Sequence, residues 1–444
     1  MTPSLPARTT PEAEALLHGE LLPELAHALG RPFHVLFPER FDANAAAFRE
    51  VFTGTGVDGR VYYAKKANKA AAFAERAADA GLGVDVASHG EVREALAAGV
   101  RGEDLVVTGP AKAGELLRAA VLHGALIAVD ALDELHRLRA LAARLGRTAR
   151  VLLRVLPPHR SHSRFGLDPQ EIREALAHCG GPVRLEGFSF HLSGYDVRHR
   201  ADLAAELIRL CRAARDQGLG PDRISIGGGF AVDYVDGGAW SGFQESSRPE
   251  HFHARREFSG FYPYHSPVAG AEALRTVLTS TPAGERSTLA GLLRENGVSL
   301  LAEPGRALLD QAGCTVFRIQ GVKERGTYAV LTVDGTSLSL SEQWFGSEFL
   351  PEPVLVPVGR AADAGDTPFP ACVGAATCLE SDMLTWRKIP FPFRPRTGDL
   401  LVYPNTAGYQ MDSNESPFHD LPLPPKVLIE PSSPYRWRLD RRHP

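Results

Sequence analysis

The sequence predicts an α/β protein: a (β/α)8 barrel of the TIM type followed by an all-β domain of sandwich or barrel-like form. Three observations carry this reading. Eight short apolar runs alternate with helical patterns over roughly 250 residues, the spacing of βα units. Past Leu308 the texture changes to short alternating runs rich in Val, Thr, Pro and Gly. Residues with chemical function also recur just after the β-runs, where a barrel gathers them on one face.

In chain order, residues 11–30 read as one amphipathic helix, stopped by Gly30 and Pro32. A short strand at 33–37 and a helix at 42–52, with Phe48 and Val51 on its apolar face, come next. The eight β-runs lie at 60–64, 82–86, 105–108, 126–129, 151–155, 185–190, 223–226 and 299–302. Helical patterns at 90–98, 113–122, 132–145, 169–178 and 200–217 fill gaps between them. An open, doubly wound sheet fits the same alternation, because closure is not written in the pattern. The stretch 234–298 is too long for a barrel loop. It holds Phe258, Phe261, Tyr262, Tyr264 and two helix patterns, and reads as an insertion over the barrel mouth. Residues 1–37 are assigned to the β-domain, 38–308 to the barrel, and 309–444 to the β-domain.

With 49 basic and 53 acidic residues, nothing in the charge points to nucleic acid or a membrane surface. No apolar run reaches the length of a membrane span, and the first residues lack the pattern of a signal peptide. Cys179, Cys211, Cys314, Cys372 and Cys378 are scattered and odd in number, which reads as reduced thiols in a cytoplasmic protein. His251, His253 and His265 show no metal-ligand spacing and read as surface residues; no metal is expected. Residues 134–139 read as a solvated helix face.

The strand ends supply the chemistry. The first run ends at Lys65 and Lys66, the second at Asp85, the third at Gly109, the fourth at Asp130 and the fifth at Arg154. The sixth leads to His191, Ser193 and Gly194, the seventh to Gly227, Gly228 and Gly229, and the eighth to Glu303, Pro304, Gly305 and Arg306. A lysine can hold an aldehyde cofactor as a Schiff base. Successive glycines let backbone N–H groups approach a phosphate, a following helix N-terminus adds favourable potential, and Arg306 offers it a charge. Singly these are solvated lysines, a turn and a core histidine. Gathered on one barrel face, they fit a phosphorylated aldehyde.

The pattern resembles the fold-type III pyridoxal-phosphate enzymes, the alanine racemase and group IV decarboxylase superfamily. The residues that carry it are Tyr63-Ala64-Lys65-Lys66-Ala67-Asn68, Asp85-Val86-Ala87-Ser88 with Glu91, Arg154, and Ser163-Arg164-Phe165-Gly166. They continue with His191-Leu192-Ser193-Gly194, Gly227 to Phe230, Glu303 to Arg306, Val333-Asp334-Gly335, Cys378 with Asp382, and Ala407-Gly408-Tyr409. The motifs run in the family's order over residues 33–430.

The resemblance implies pyridoxal 5'-phosphate as cofactor and a homodimer with shared active sites. It gives Lys66 the Schiff base, Asp85 a place beside it, His191 the stacking face of the ring, and Arg154 the support of the cofactor hydroxyl or His191. The three glycines, Arg306 and Tyr409 fall to the phosphate, and Ser193, Gly194 and Gly305 are further cofactor-binding residues. Glu303 would stand at the pyridine nitrogen and favour its protonated form. The family's racemases carry an arginine there, so glutamate argues for a decarboxylase. An amino-acid racemase or epimerase, or a non-catalytic cofactor carrier, is the alternative. Cys378 would protonate the carbanion, and it and Asp334 would come from the second subunit.

Some positions depart from the pattern. Leu379 stands where diamino-acid decarboxylases carry an acid for the distal ammonium, and Ser341 to Gly346 lacks the arginine that reads a distal carboxylate. Asp334, Leu379, Asp382 and Trp344 are the candidate substrate residues. The departures fit a bacterial branch that includes enzymes of secondary metabolism, and a bulkier or less charged substrate.

Overall fold

The computed structural model describes residues 2–160, 162–341, 346–361, 368–430 and 436–441. Helices α1 (Pro11–Leu17) and α2 (Leu21–Leu29) lead into β1 (Phe33–Leu36) and the long α3 (Pro38–Thr55). The barrel strands follow: β2 (Gly59–Ala64), β3 (Gly83–Val86), β4 (Leu105–Val107), β5 (Leu126–Val129), β6 (Ala149–Arg154), β7 (Val183–Ser189), β8 (Arg223–Ser225) and β9 (Ser299–Ala302). Between them run α4 (Ala71–Asp79), α5 (His89–Ala97), α6 (Gly114–His123), α7 (Leu132–Leu145), α8 (Pro169–His178) and α9 (Val197–Asp216). Then come α10 (Gly237–Ser246), α11 (Gly270–Thr279) and α12 (Leu289–Glu295) between β8 and β9.

The eight strands are parallel and closed, with β9 returning to β2 in the register Gly59↔Leu300 and Val61↔Ala302. The open-sheet alternative is thereby excluded. Strands covered on both faces need apolar side chains throughout, which is why their runs barely alternate. Tyr62, Val106, Leu126, Leu152 and Leu301 fill the barrel interior as one cluster, so the barrel is a packed core with its free space at one end.

The second sheet uses β10 (Gly313–Arg325), β11 (Tyr328–Val333), β12 (Val354–Val356), β13 (Phe369–Gly374), β14 (Met383–Phe391), β15 (Leu400–Tyr403), β16 (Lys426–Glu430) and β17 (Arg436–Leu439). Its main path is β14-β13-β11-β10-β1-β16-β17, and β15 joins β10 to β12. Strand β1 is thus a central member, antiparallel to β10 and parallel to β16, although it precedes the barrel in sequence. Among the described residues no helix is long and apolar enough to cross a membrane.

Two expectations need correction. The single helix at 11–30 is two, because α1 closes at His18 and Gly19 is a poor helix former. The apolar periodicity resumes in α2, and that hid the break. The stretch 234–298 does not as a whole cover the barrel mouth. Its last two helices belong to the outer wall, α11 packing on α3 and α9, and α12 on α9. Its earlier part lies along the second sheet, where Phe252 bridges to Arg387 and Lys388 Nζ donates to the carbonyl of Glu250 at 2.8 Å.

Candidate active site

Strand β2 ends at Ala64, and a single 3-10 turn, Lys65–Ala67, sends the two lysines in different directions. Lys65 is buried, with Nζ 3.5 Å from the carbonyl of Lys69. Lys66 reaches open space and donates to Asp85 Oδ2 at 2.8 Å. Asp85, buried on the adjacent strand β3, also accepts from Thr108 Oγ1 at 2.6 Å. Burial pulls the Lys66 ammonium down; the carboxylate of Asp85, followed by Tyr409 and Glu303, reverses this and holds it above the ordinary lysine value.

The loop after Lys66 is fastened from far along the chain. Tyr409 N–H donates to Ala67 O at 2.8 Å, and Asn68 Nδ2 donates to Ala407 O at 2.8 Å. Lys69 N–H donates to Asp412 Oδ2 at 2.7 Å, while Lys426 Nζ bonds both Asn68 Oδ1 and Asp412. Helix α4 has no local side-chain cap; Asp440 caps it instead, accepting from Ala71 and Ala72 N–H at 3.0 Å each.

A cavity of about 730 Å³ opens beside Lys66 at this end of the barrel. Glu303, Arg154, His191, Ser193 and Thr108 line it. Glu303 is 8% exposed and accepts from Ser225 Oγ at 2.6 Å. Burial, reinforced by Asp85, pushes its carboxyl up to about 7. His191 faces the cavity; desolvation, then the charges of Lys66, Arg154 and Arg200, push its imidazole down to about 3, so the ring is neutral. Arg154 Nη1 donates to Asp130 Oδ1 at 3.0 Å, and its guanidinium carbon lies 4.6 Å from the centre of the Phe165 ring. Asp130 also accepts from Gly166 N–H at 3.2 Å, which ties the loop carrying Arg164 and Phe165 to the mouth. Arg160 in the same loop donates to Ser193 Oγ at 2.9 Å.

The expected solvated face at 134–139 is wrong at its first residue. Glu134 is fully buried and paired with Lys112 Nζ at 2.9 Å, beneath the mouth loops. Of the three histidines read as surface residues, all are partly buried; His253 meets Tyr328 Oη at 2.9 Å and His265 meets Asp233 at 2.8 Å.

Around the glycine triplet the backbone is unusual. Gly227 and Gly229 have φ of 65° and 79°, open to glycine at little cost. No helix follows them directly, since the next begins at Gly237; the expected helix N-terminus is absent. Gly194 joins this region through its carbonyl, which accepts from Arg200 Nη2 at 3.4 Å. Gly305 approaches Tyr409 so closely that a Cβ would stand 2.8 Å from Oη. Arg306 is buried among tyrosines, donating to Tyr234 Oη at 3.0 Å, with Tyr262 and Tyr409 ring centres 4.3 and 5.1 Å from its guanidinium carbon.

The remaining candidates are elsewhere. Cys378, Leu379, Asp382 and Asp334 sit on loops of the second sheet and do not line this chain's cavity. Cys378 Sγ is 3.3 Å from His419 Nε2, and this exposed pair is flanked by exposed Leu379 and Phe418. Both oxygens of Asp382 are used within its loop, Oδ1 by Ser337 N–H at 2.9 Å and Oδ2 by Thr377 Oγ1 at 2.6 Å. Asp334 accepts from Arg318 N–H at 2.9 Å, and burial pushes it up to about 6. Trp344, with Glu342, lies outside the described residues. Sequence reading missed Thr108, Ser225, Arg200 and His419. Thr108 and Ser225 at least stood at strand ends, the position that flagged the others.

An amine paired to an acid, a buried carboxyl on the cavity wall and a turn of glycines with positive φ are the groups that an aldehyde, a basic ring nitrogen and a phosphate require. The set therefore fits pyridoxal phosphate. Comparison with known proteins agrees. The family described as pyridoxal-dependent decarboxylase, pyridoxal binding domain, matches residues 39–251. The uncharacterized protein y4yA of Sinorhizobium fredii is 39% identical over 93% of this chain and 90% of its own length. A diaminopimelate decarboxylase of Actinosynnema pretiosum is 29% identical over 89% of this chain and 83% of its own. The fold is shared with the diaminopimelate decarboxylase of M. jannaschii, at a TM-score of 0.76 and 20% identity over 94% of this chain and 91% of that one. It is shared also with the Vibrio vulnificus lysine/ornithine decarboxylase, at a TM-score of 0.70 and 18% identity over 95% and 99%.

Proposed function

This chain belongs to the fold-type III pyridoxal-phosphate enzymes, as a pyridoxal-dependent decarboxylase, and on that premise we propose that it releases CO2 from an amino acid whose side chain ends without a free ammonium group. We propose further that it works as a homodimer in which each site is completed by the partner. The bound cofactor supplies the electron sink for the pair left when the carboxylate departs.

The chain's own groups have definite tasks in this reading. Lys66 would hold the cofactor's aldehyde carbon, and Asp85, kept in place by Thr108, stays beside the amine as the counter-charge. The neutral ring of His191 offers a flat stacking face. Glu303, steadied by Ser225, would stand at the ring nitrogen and favour its protonated form, and a carboxyl at this place on the cavity wall is the observation that carries the decarboxylase reading over the racemase. Cys378 of the second subunit delivers the proton that replaces the lost carboxylate.

The cavity supports the substrate class. Apart from Glu303, the charged residues lining it are Lys66, Arg154, Arg160 and Arg164, with His159, His162 and His191 beside them. A distal ammonium brought there meets cations, and neither Leu379 nor the engaged Asp382 offers it a free carboxylate. The test is CO2 release and chiral analysis on one panel of amino acids and amino-acid conjugates. We expect CO2 without racemisation, and a kcat/KM for free diaminopimelate, ornithine and lysine below ~10⁴ M⁻¹s⁻¹. A cognate-level value for any of the three refutes the substrate class. Stereochemical inversion without CO2 refutes the reaction.

A further inference from the structure

Arg200, in the first turn of α9, is 1% exposed, yet its four hydrogen bonds all run to backbone carbonyls. Nη1 donates to Ile226 O at 2.8 Å and to Gly228 O at 2.7 Å; Nη2 donates to Gly229 O at 3.1 Å and to Gly194 O at 3.4 Å. The guanidinium thus grips the triplet from behind and joins it to the loop after β7. It also fixes the need for glycine, since a Cβ on Gly229 would stand 2.7 Å from Nη2. Burial pulls the guanidinium down to about 10, the cost of holding a cation on neutral dipoles.

Peptide planarity turns this grip into a directional device. In a trans peptide the carbonyl of one residue and the N–H of the next point to opposite sides. Drawing the carbonyls of Gly228 and Gly229 toward Arg200 turns the N–H groups of Gly229 and Phe230 away from it. Neither amide, nor that of Gly228, has a hydrogen-bond partner among the described residues. Consecutive outward amides make an anion-binding concavity, and here a buried positive charge stands directly behind it.

We propose that Arg200 is the positioning residue of the phosphate cradle, holding the amides of Gly229 and Phe230 turned away from itself and making the site selective for the phosphorylated cofactor. The proposal rests on reading Gly227 to Gly229 as the phosphate loop. Residues that touch the phosphate do so in front; Arg200 acts through the backbone.

The experiment titrates cofactor-free wild type, Arg200→Met and Arg200→Lys with pyridoxal phosphate and, separately, with unphosphorylated pyridoxal, following the visible absorption of the Lys66 adduct. Far-UV circular dichroism checks the fold. Wild type should prefer the phosphorylated form strongly. In Arg200→Met, affinity for pyridoxal phosphate should fall by ~10- to 100-fold, the range of charge-assisted hydrogen bonds, while that for pyridoxal changes by less than ~2-fold. Arg200→Lys keeps the charge but cannot fork across several carbonyls, so its preference should also fall; it carries the test should the Met variant not fold. An equal loss for both ligands would make Arg200 merely structural and overturn the proposal. Full preference retained in the folded variants overturns it too. A wild type that binds both forms equally would instead remove the phosphate-loop reading beneath it.

Discussion

Breaking the Lys112–Glu134 pair should destabilise the chain more than almost any surface change, and the structure gives the size. The two side chains are 1% and 0% exposed. Lys112 Nζ also donates to Gly109 O at 2.8 Å and Ala128 O at 2.5 Å, while Glu134 accepts from Lys112 N–H at 2.9 Å. Replacing Glu134 with Leu leaves an ammonium buried on two carbonyls, and losing one partner of such a pair costs about 3–5 kcal/mol. Lys112 is already held below its ordinary value by burial, and the variant lowers it further. The unfolded chain then binds a proton that the folded one gives up, so the deficit should shrink as pH rises from 7 toward 9. Adding Lys112→Met removes the stranded charge, and the double variant should recover to within ~1–2 kcal/mol of wild type. Urea unfolding at both pH values measures the cycle, and amide exchange across 105–145 localises it. Glu134→Leu within ~0.5 kcal/mol of wild type, an ordinary surface effect, would refute the reasoning. So would a double variant as unstable as the two single changes added together.

Other outcomes follow from the site. Glu303 is held at about 7 against an ordinary 4.5, so in the cofactor-free protein the folded state keeps a proton that the unfolded state releases. Its contribution to stability is present below pH 4.5 and lost as pH rises to 7, by about 3 kcal/mol across that window; Glu303→Gln should flatten the urea midpoint there, and an unchanged slope counts against it. If sites are shared, inactive Lys66→Ala and Cys378→Ala proteins should regain activity on mixing, because some heterodimers hold one intact site. No recovery despite proven subunit exchange would put both residues in one subunit's site.

The barrel was legible because strands buried on both faces must be apolar, and no distant partner is needed to see it. The same holds for residues announced by a strand end, such as Lys66, Asp85 and Glu303. What stayed hidden depends on distance in the chain. Glu134 on a helix of alternating charge looks solvated, and only the fold brings Lys112 beneath it. Arg200 is one of several arginines in α9, and no local pattern says that this one turns inward to the glycines. The triplet itself was visible, but the helix expected behind it was borrowed from other phosphate sites; the chain uses a guanidinium there. Engagement is equally invisible: Asp382 looks available in sequence and is spent on Ser337 and Thr377 in the fold.

The fastening of the Lys66 loop sets an order of events during synthesis. Every strand of the barrel lies between residues 59 and 302, so a ribosome delivers the whole barrel before any of Ala407, Tyr409, Asp412, Lys426 or Asp440 exists. Domains fold as they emerge, N-terminal first. A nascent barrel can therefore close while the loop behind its reactive lysine has no anchors and α4 has no cap. The amine would be exposed early, but its final aim arrives late. Fragments that stop short of residue 407 would carry the lysine without the geometry that makes it useful.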